Sequence, residues 1–434
     1  MVRIQIKDLE SNIGKDVNLY GWVQVIRDQK KIQFIVLRDI TGIVQLVVFN
    51  NGKAAKVIQD LPLESIVEIT GKAKKEKQAP GGLEVEVKEI KVLSKAESKL
   101  PIPVVEKGNA ETEIDKRLDW RWIDLRKEKN ALAYKIFTQL EAGFREYWIK
   151  NGYIQIHSPK FMDAPSESGA EVFKVEYFDQ HAYLAQSPQF YKQMAMAAGF
   201  EKVFEIGEVF RAEPSFTSRH ATEFVGYDFE ISFIESEEDV MREFENVITY
   251  ALEGVKKAFG SEIKHVYGSE LVVPKVPFPR ITMHEAKELL KPFKIKTEKS
   301  DDLNQTEEIK LSEVIKEKYG HEWVYVTDYP VSVRPFYHMR KSDTVTRSTD
   351  LFWNGIEILT AAQREHRHDI LVKQAKEKGL KPESIKNYLN FFKYGCPPHG
   401  GAGIGPERIL MKICKFSNIR EAQFIYRGVK RLTP

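Results

Sequence analysis

Five β-rich runs crowd into the first hundred residues, and so many short strands so close together leave few folds open. The runs are Val17–Val25, Ile32–Leu37, Ile43–Phe49, Ile66–Gly71 and Leu83–Val92, with turn signals at Asp39–Gly42, Asn50–Gly52 and Pro80–Gly82. Apolar, β-branched runs broken at this spacing predict strands joined by tight turns. Residues 1–100 are therefore expected to close into a small barrel, and an OB-fold is the natural candidate. Trp22, Arg27, Phe34, Arg38 and Gln45 lie along these strands and turns. Aromatic rings beside cations would make a platform for single-stranded RNA, whereas Trp22 and Phe34 could equally be barrel core.

The remaining length, out of 434 residues, leaves room for one or two further domains. A net charge of +3 neither argues for nor opposes a nucleic-acid partner. Only Cys396 and Cys414 occur, without the paired spacing of a zinc site, which suggests a reducing compartment. The N-terminus MVRIQIKDLE lacks an apolar signal core, and no run of about 18 apolar residues predicts a membrane span. A cytoplasmic protein with no membrane association is expected.

Residues 96–116 are polar, carry two prolines and read as a hinge. A helix follows, with Ala133, Ile136, Phe137, Leu140, Phe144, Tyr147 and Trp148 at three-and-four spacing, ending at Asn151-Gly152. It runs into a strand at Tyr153–Ile156 and then Ser158-Pro159, a seam for either a dimer or the subunit's own core. Residues 163–176 read as a mobile acidic loop bearing Glu167 and Glu171. In QSPQFYKQM, Gln189 and Lys192 share a face of a starting helix.

The segment Phe210–Glu230, FRAEPSFTSRHATEFVGYDFE, reads as a β-hairpin with a long polar tip. Arg211 and Glu213 point to one face of its first strand. Arginine there suits a phosphate, since its planar fork can donate two bonds to one oxyanion; ordinary surface ion pairs are the alternative. Helices are expected at Glu237–Phe259 and about Met283–Leu290, with the charged Lys296–Glu308 as an exposed linker or insertion. Between Arg347 and Ile370, Asp350, Glu357, Thr360 and Arg364 punctuate an apolar strand. The carboxylate of Glu357 and the hydroxyl of Thr360 are hard oxygen ligands that suit Mg²⁺. In HGGAGIGPERILM, glycines 401, 403 and 405 alternate along a strand that could lie flat under a ligand ring. Pro406 then starts a helix whose first turn carries Arg408, where free amides already favour anions. No GxGxxG or GxxxxGK[ST] motif occurs, which disfavours a Rossmann or P-loop site.

Taken in order, the strand–proline segment, the Arg-Glu hairpin and the glycine strand with its arginine helix resemble the three motifs of class II aminoacyl-tRNA synthetases. The likeness is to aspartyl-tRNA synthetases of the archaeal and eukaryotic type, and it covers nearly the whole chain. GWVQVIRDQKKIQFIVLRDITGIVQLVV, RLDWRWIDLR, AYLAQSPQFYKQM, FEIGEVFRAE, TSRHATEF, VRPFY, QREHRHD, YGCPPHGG and the terminal RLTP carry it. The resemblance implies an α+β chain. Its parts would be an anticodon-binding OB-fold over 1–100, a hinge over 101–130, and a catalytic domain over 131–434. That domain would be an antiparallel sheet flanked by helices, with a small insertion at about 240–330, in a homodimer.

It also implies the site. Arg211 would hold the ATP α-phosphate and Glu213 the adenine amino group. Phe224 and Arg408 would cover the two faces of adenine, Arg219 and His220 would reach the outer phosphates, and Asp350, Glu357 and Thr360 would hold Mg²⁺. Lys192 and Arg364 would take the side-chain carboxylate of aspartate; Gln189, Asp228 and Glu171 would take its ammonium, with Glu167 as a gate. Phe34 and Gln45 would stack on and pair with the anticodon, with Arg27 on its backbone. Gln24 stands where relatives vary between tryptophan and histidine. Pro80, in QAPGGLEV, matches members that charge both the aspartate and the asparagine tRNA and feed an amidotransferase. The sequence departs from the family at Ala361-Ala362, Phe216 and Ile425–Gly428. The rivals are an asparagine-specific enzyme, a paralogue that makes asparagine from aspartate, and a catalytically silent RNA-binding protein.

Overall fold

The computed structural model describes residues 2–29, 31–106, 108, 111–165, 171–214, 217–296 and 301–434. The chain divides into two compact units, residues 1–131 with Pro434, and 132–433.

In the first unit, β1 (Asp16–Gln29), β2 (Ile32–Asp39), β3 (Gly42–Phe49), β4 (Ile66–Lys75) and β5 (Leu83–Ser94) close into a barrel of order β1-β2-β3-β5-β4. This is the expected OB-fold. Strand alternation sorts its faces. Val17, Leu19, Val23, Ile35, Leu37, Val44, Leu46 and Val48 fill the interior. An irregularity between Val23 and Val25 shifts the register of β1, so Arg27 lies opposite Phe34, and in the regular β2–β3 pairing Val36 lies opposite Gln45. Arg27, Phe34 and Gln45 therefore share the outer face, and Phe34 is not barrel core. Trp22 also stands outside the interior, with the guanidinium groups of Arg38 and Arg126 5.8 and 5.9 Å from its ring centre. Residues 101–130 form short helices at Ile114–Asp119 and Arg121–Asp124. Asp124, fully buried, gathers Arg117, Arg121 and Lys127 at 2.9, 2.7 and 3.2 Å.

The second unit adds β6 (Ile154–Gln155), β7 (Phe161–Met162), β8 (Lys174–Tyr177), β9 (Gln180–Leu184), β10 (Lys202–Phe210) and β11 (Glu223–Ser232). It continues with β12 (Arg280–Thr282), β13 (Trp323–Thr327), β14 (Ser348–Trp353), β15 (Ile356–Arg364) and β16 (His399–Ile404). Eight of these form one sheet in the order β12-β13-β14-β15-β16-β11-β10-β6; β7, β9 and β8 form a small second sheet. The large sheet is antiparallel except at its two outer pairs. The stretch expected as an insertion supplies β12 and β13 to this sheet.

The helix Glu128–Lys150 buries Ala133, Ile136, Leu140, Phe144 and Trp148 of the positions its periodicity marks, while Phe137 and Tyr147 are half-buried. Phe144 and Trp148 pack on Tyr227, Phe204 and Phe229 of the sheet. Part of Lys296–Glu308, expected as an exposed linker, is instead the start of a helix, Gln305–Tyr319. Asn304 and Glu307 form a reciprocal capping box there, and Leu311 and Ile315 are fully buried. Two of its charges are buried ion pairs rather than solvated: Glu307 meets Lys287 at 2.9 Å and Glu308 meets Arg219.

Candidate active site

One cleft of about 290 Å³, the size class of small-molecule sites, opens over β11, β15 and β16. Its lining includes Gln189, Lys192, Arg211, Glu213, Arg219, His220, Phe224, Asp228, Glu357, Thr360, Arg364 and Arg408. These residues lie up to 219 positions apart in sequence, and strand pairing brings them together. The lining changes character along the cleft. Arg211, Arg219, His220 and Arg408 form one part; Lys192, Asp228 and Arg364 form another.

The second part is built on period-two alternation along β11, which places Asp228 and Glu230 on one face. Lys192, on the helix Gln189–Ala197, meets Asp228 Oδ1 at 2.8 Å and Glu230 Oε2 at 3.3 Å, and donates to the Ala402 carbonyl at 3.2 Å. Arg364, at the end of β15, donates from Nε to Glu230 Oε1 at 3.0 Å and from Nη2 to the Gly401 carbonyl at 2.9 Å. Its Nη1 donates to His338 Nε2 at 2.9 Å. Burial works against a charge on Glu230, but Arg364 and Lys192 outweigh it and hold the carboxyl below its ordinary value. Burial also keeps His338 neutral, aided by Arg364, so its Nε2 is free to accept. The pocket thus presents two fixed cations, Lys192 and Arg364, each anchored on buried carboxylates, Asp228 and Glu230.

Glu230 and His338 were not marked as site residues in the sequence. Glu230 was visible only as one of three acids in the hairpin's second strand, and His338 only as the residue following VRPFY. Gly401 is also explained here rather than by a ligand ring. A Cβ at that position would lie 2.1 Å from both Glu230 Oε2 and the Phe229 carbonyl. Gly401→Ala is expected to push β16 off β11 and cost about 2 kcal/mol or more. A thermal midpoint lower by several degrees checks this. Gly403 and Gly405 do line the cleft, as their alternation predicts.

At the other part, the Arg211 guanidinium stands 5.5 Å from the centre of the Phe224 ring. Arg408, from the first turn of the helix Pro406–Cys414, donates to the Glu357 carbonyl at 2.9 Å and to its carboxylate at 3.1 Å. His220 bonds to Thr217. Burial, reinforced by Arg408, Arg219 and Arg211, pushes the His220 imidazole down to about 4. A neutral histidine amid three guanidinium groups marks a place built for an anion.

Glu357 and Thr360 are three apart, which would put them on opposite faces of a regular strand. A bulge in the β14–β15 pairing corrects this, and both side chains line the cleft. Asp350 lies directly opposite Thr360 on β14. Its Oδ2 accepts from Arg334 at 2.6 Å, while its buried Oδ1 has no hydrogen-bond partner. Among the described residues no group of three or more His, Cys, Asp or Glu could hold a metal. Two carboxylates and a hydroxyl, with an orphaned buried oxygen among them, do fit a hard cation that takes its other ligands from substrate and water.

Some expected residues stand elsewhere. Asp350 and Glu171 are not part of the cleft's lining. The Glu171 carbonyl accepts from the Ala212 amide at 3.1 Å and from Gln186 Nε2 at 3.2 Å, which ties it beside Arg211. Glu167 and Phe216 lie outside the described residues. Ala361 and Ala362 are fully buried and neither lines the cleft. In the first unit, Gln45 bonds weakly to Glu84 at 3.4 Å, and Pro80 opens a short 3₁₀ turn with Gly81 and Gly82 in left-handed conformation. Gln24 sits at the β1 irregularity with a buried, unpartnered Oε1.

Both units match known families. Residues 17–93 match the OB-fold nucleic acid binding domain family, and residues 113–425 match the tRNA synthetases class II (D, K and N). The aspartate–tRNA(Asp/Asn) ligase of Methanopyrus kandleri is 43% identical over 97% of this chain and 96% of its own length. The aspartate–tRNA(Asp) ligase of Pyrococcus abyssi is 41% identical over 97% of both chains. The crystal structure of Pyrococcus horikoshii asparaginyl-tRNA synthetase complexed with asparaginyl-adenylate superposes with a TM-score of 0.92 at 31% identity, over the whole of both chains. With the family's sequence pattern running through the barrel, the mixed sheet and the cleft alike, the chain belongs to the class II tRNA synthetases of the D, K and N group.

Proposed function

We propose that the protein attaches L-aspartate to tRNA at the expense of ATP, through an aspartyl-adenylate. The observation that carries this reading is the pairing, in one cleft, of a Lys192–Arg364 pocket with an arginine-lined anion site. The relatives named as aspartate–tRNA ligases support it. The α-carboxylate of aspartate attacks the α-phosphorus of ATP, and pyrophosphate leaves. A hydroxyl of the terminal ribose of the tRNA then attacks the acyl carbon, and AMP leaves. No protein nucleophile is needed. Arg211 holds the α-phosphate and stabilises the charge that develops there. Phe224 and Arg408 position adenine, Glu213 reads its amino group, and Arg219 and His220 receive the outer phosphates. Gln189, Asp228 and Glu171 hold the ammonium of aspartate, and Glu167 gates the pocket. Asp350, Glu357 and Thr360 would hold Mg²⁺, which when bound neutralises phosphate charge.

Lys192 and Arg364 set the choice of amino acid. A neutral amide would press its NH₂ against the N–H donors of two cations, and sites of this kind discriminate strongly. On the barrel, Phe34, Gln45 and Arg27 offer ring, amide and cation on one face for a splayed anticodon; Gln24 and Pro80 set its range. We assign both the aspartate and the asparagine tRNA, with an amidotransferase acting downstream on the second product. Ile149, Ile154 and Phe161 are exposed apolar residues around the strand–proline seam and suit a homodimer. Among the described residues no helix is long and apolar enough to cross a membrane, and both cysteines are free, which suits the cytoplasm.

The test is charging of purified aspartate and asparagine tRNAs with labelled aspartate and, separately, asparagine. Aspartate on both is the expected result. Aspartate on one alone would remove the amidotransferase. Asparagine charging would favour the reading suggested by the likeness to the asparaginyl enzyme, and no charging would defeat the proposal.

A further inference from the structure

The Arg219–Glu308 contact joins the cleft to an element that contributes no lining residue to it. Arg219 lines the cleft from the loop between β10 and β11. Its Nη1 is bound by Glu308 and reaches the Gly355 carbonyl at 3.5 Å. Nε and Nη2 have no protein partner among the described residues. One limb of the guanidinium fork is therefore engaged while the other donors remain for a ligand, as bidentate phosphate binding requires.

Glu308 is itself firmly placed. It lies in the first turn of the helix Gln305–Tyr319 and is 8% exposed. The helix is locked against the turn between β14 and β15. Ser312 Oγ accepts from the Gly355 amide at 2.7 Å, and a Cβ on Gly355, whose φ is +79°, would lie 2.8 Å from Ile309 Cα. That turn leads directly to Glu357. The sheet edge, the helix and the loop arginine thus form one mechanical chain beside the anion site.

We propose that Glu308 is a positioning residue for ATP, holding the Arg219 guanidinium at the cleft wall so that it meets the outer phosphates already oriented. Loop arginines carry rotamer entropy that must be lost on binding, and a fixed carboxylate removes part of that cost beforehand. The inference rests on the aminoacylation reading and extends it to a residue that never touches substrate.

The test is aspartate-dependent ATP–pyrophosphate exchange in the full-length protein. Glu308→Ala should raise the KM for ATP about tenfold, with kcat and the KM for aspartate within about threefold of wild type. Inhibition by AMP, which lacks the outer phosphates, should be unmoved. Glu308→Gln keeps an acceptor for Nη1 and should restore most of the loss. In an Arg219→Ala background, Glu308→Ala should add nothing. Glu308→Met keeps the buried volume and serves the same purpose if the alanine variant does not fold. An unchanged or lowered KM for ATP would overturn the proposal, as would an equal rise in the Arg219→Ala background. A wild-type protein without aspartate-dependent exchange would instead overturn the parent reading, so the two failures are distinct.

Discussion

Arg408→Ala is expected to lower aspartate-dependent ATP–pyrophosphate exchange by about 10²–10³-fold, the range seen when one preorganised donor to a charged transition state is lost. The helix Pro406–Cys414 delivers Arg408 from its first turn, and two bonds to Glu357 hold its Nη1. Removal would act twice. The nucleotide loses a cation and a planar surface, and Glu357 loses a nearby counter-charge. Burial already pushes the Glu357 carboxyl up; Arg408 pulls it down, and Asp350 pushes it up again. Without Arg408 the carboxyl should protonate more readily and serve worse as a metal ligand. The fold should survive, since Arg408 is partly exposed and its partners are at the cleft's edge. Exchange within tenfold of wild type, with an unchanged thermal midpoint, would remove Arg408 from the ATP site. Arg408→Lys separates the two contributions, because lysine keeps the charge and loses the plane.

The barrel and the cleft were readable in the sequence to different depths. The barrel's five runs are local signals, and each became a strand because β-branched alternation and turn residues act over a few positions. The glycine strand was also readable from its spacing, but Arg211 and Glu213 do not stand on the hairpin's first strand as expected: β10 ends at Phe210, and both line the cleft from the loop beyond it. The bulge between Glu357 and Thr360 was not readable. It depends on the pairing of β14 with β15, and without it the parity of the strand argues against their meeting. Glu308 was hidden for a different reason. A run of charges resembles a solvated linker, and only the Asn304–Glu307 capping box followed by Leu311 and Ile315 signals a helix with a buried face. Glu230 differs from its neighbouring acids only in being fully enclosed between Lys192 and Arg364, which no local pattern reports.

Lys192→Met should cut kcat/KM for aspartate by about 10³-fold or more, on the scale by which buried polar sites discriminate between substrates. Lys192 is 1% exposed and ion-paired to two buried carboxylates. The substitution is nearly isosteric, so little cavity forms and the loss is one of charge. Glu230 keeps Arg364 as its partner, but Asp228 loses its only ion pair among the described residues. Breaking a buried pair from one side costs about 3 kcal/mol, which should appear as a lower thermal midpoint that aspartate no longer raises. ATP should still protect the variant, because the arginine-lined part of the cleft does not involve Lys192. Asparagine should not become a substrate, since Arg364 would still present its donors to the amide. Exchange driven by each amino acid, with thermal protection by each ligand, reads all of these together. Normal aspartate kinetics would place the side-chain carboxylate away from Lys192 and leave the buried lysine as the counter-ion that anchors Asp228 and Glu230.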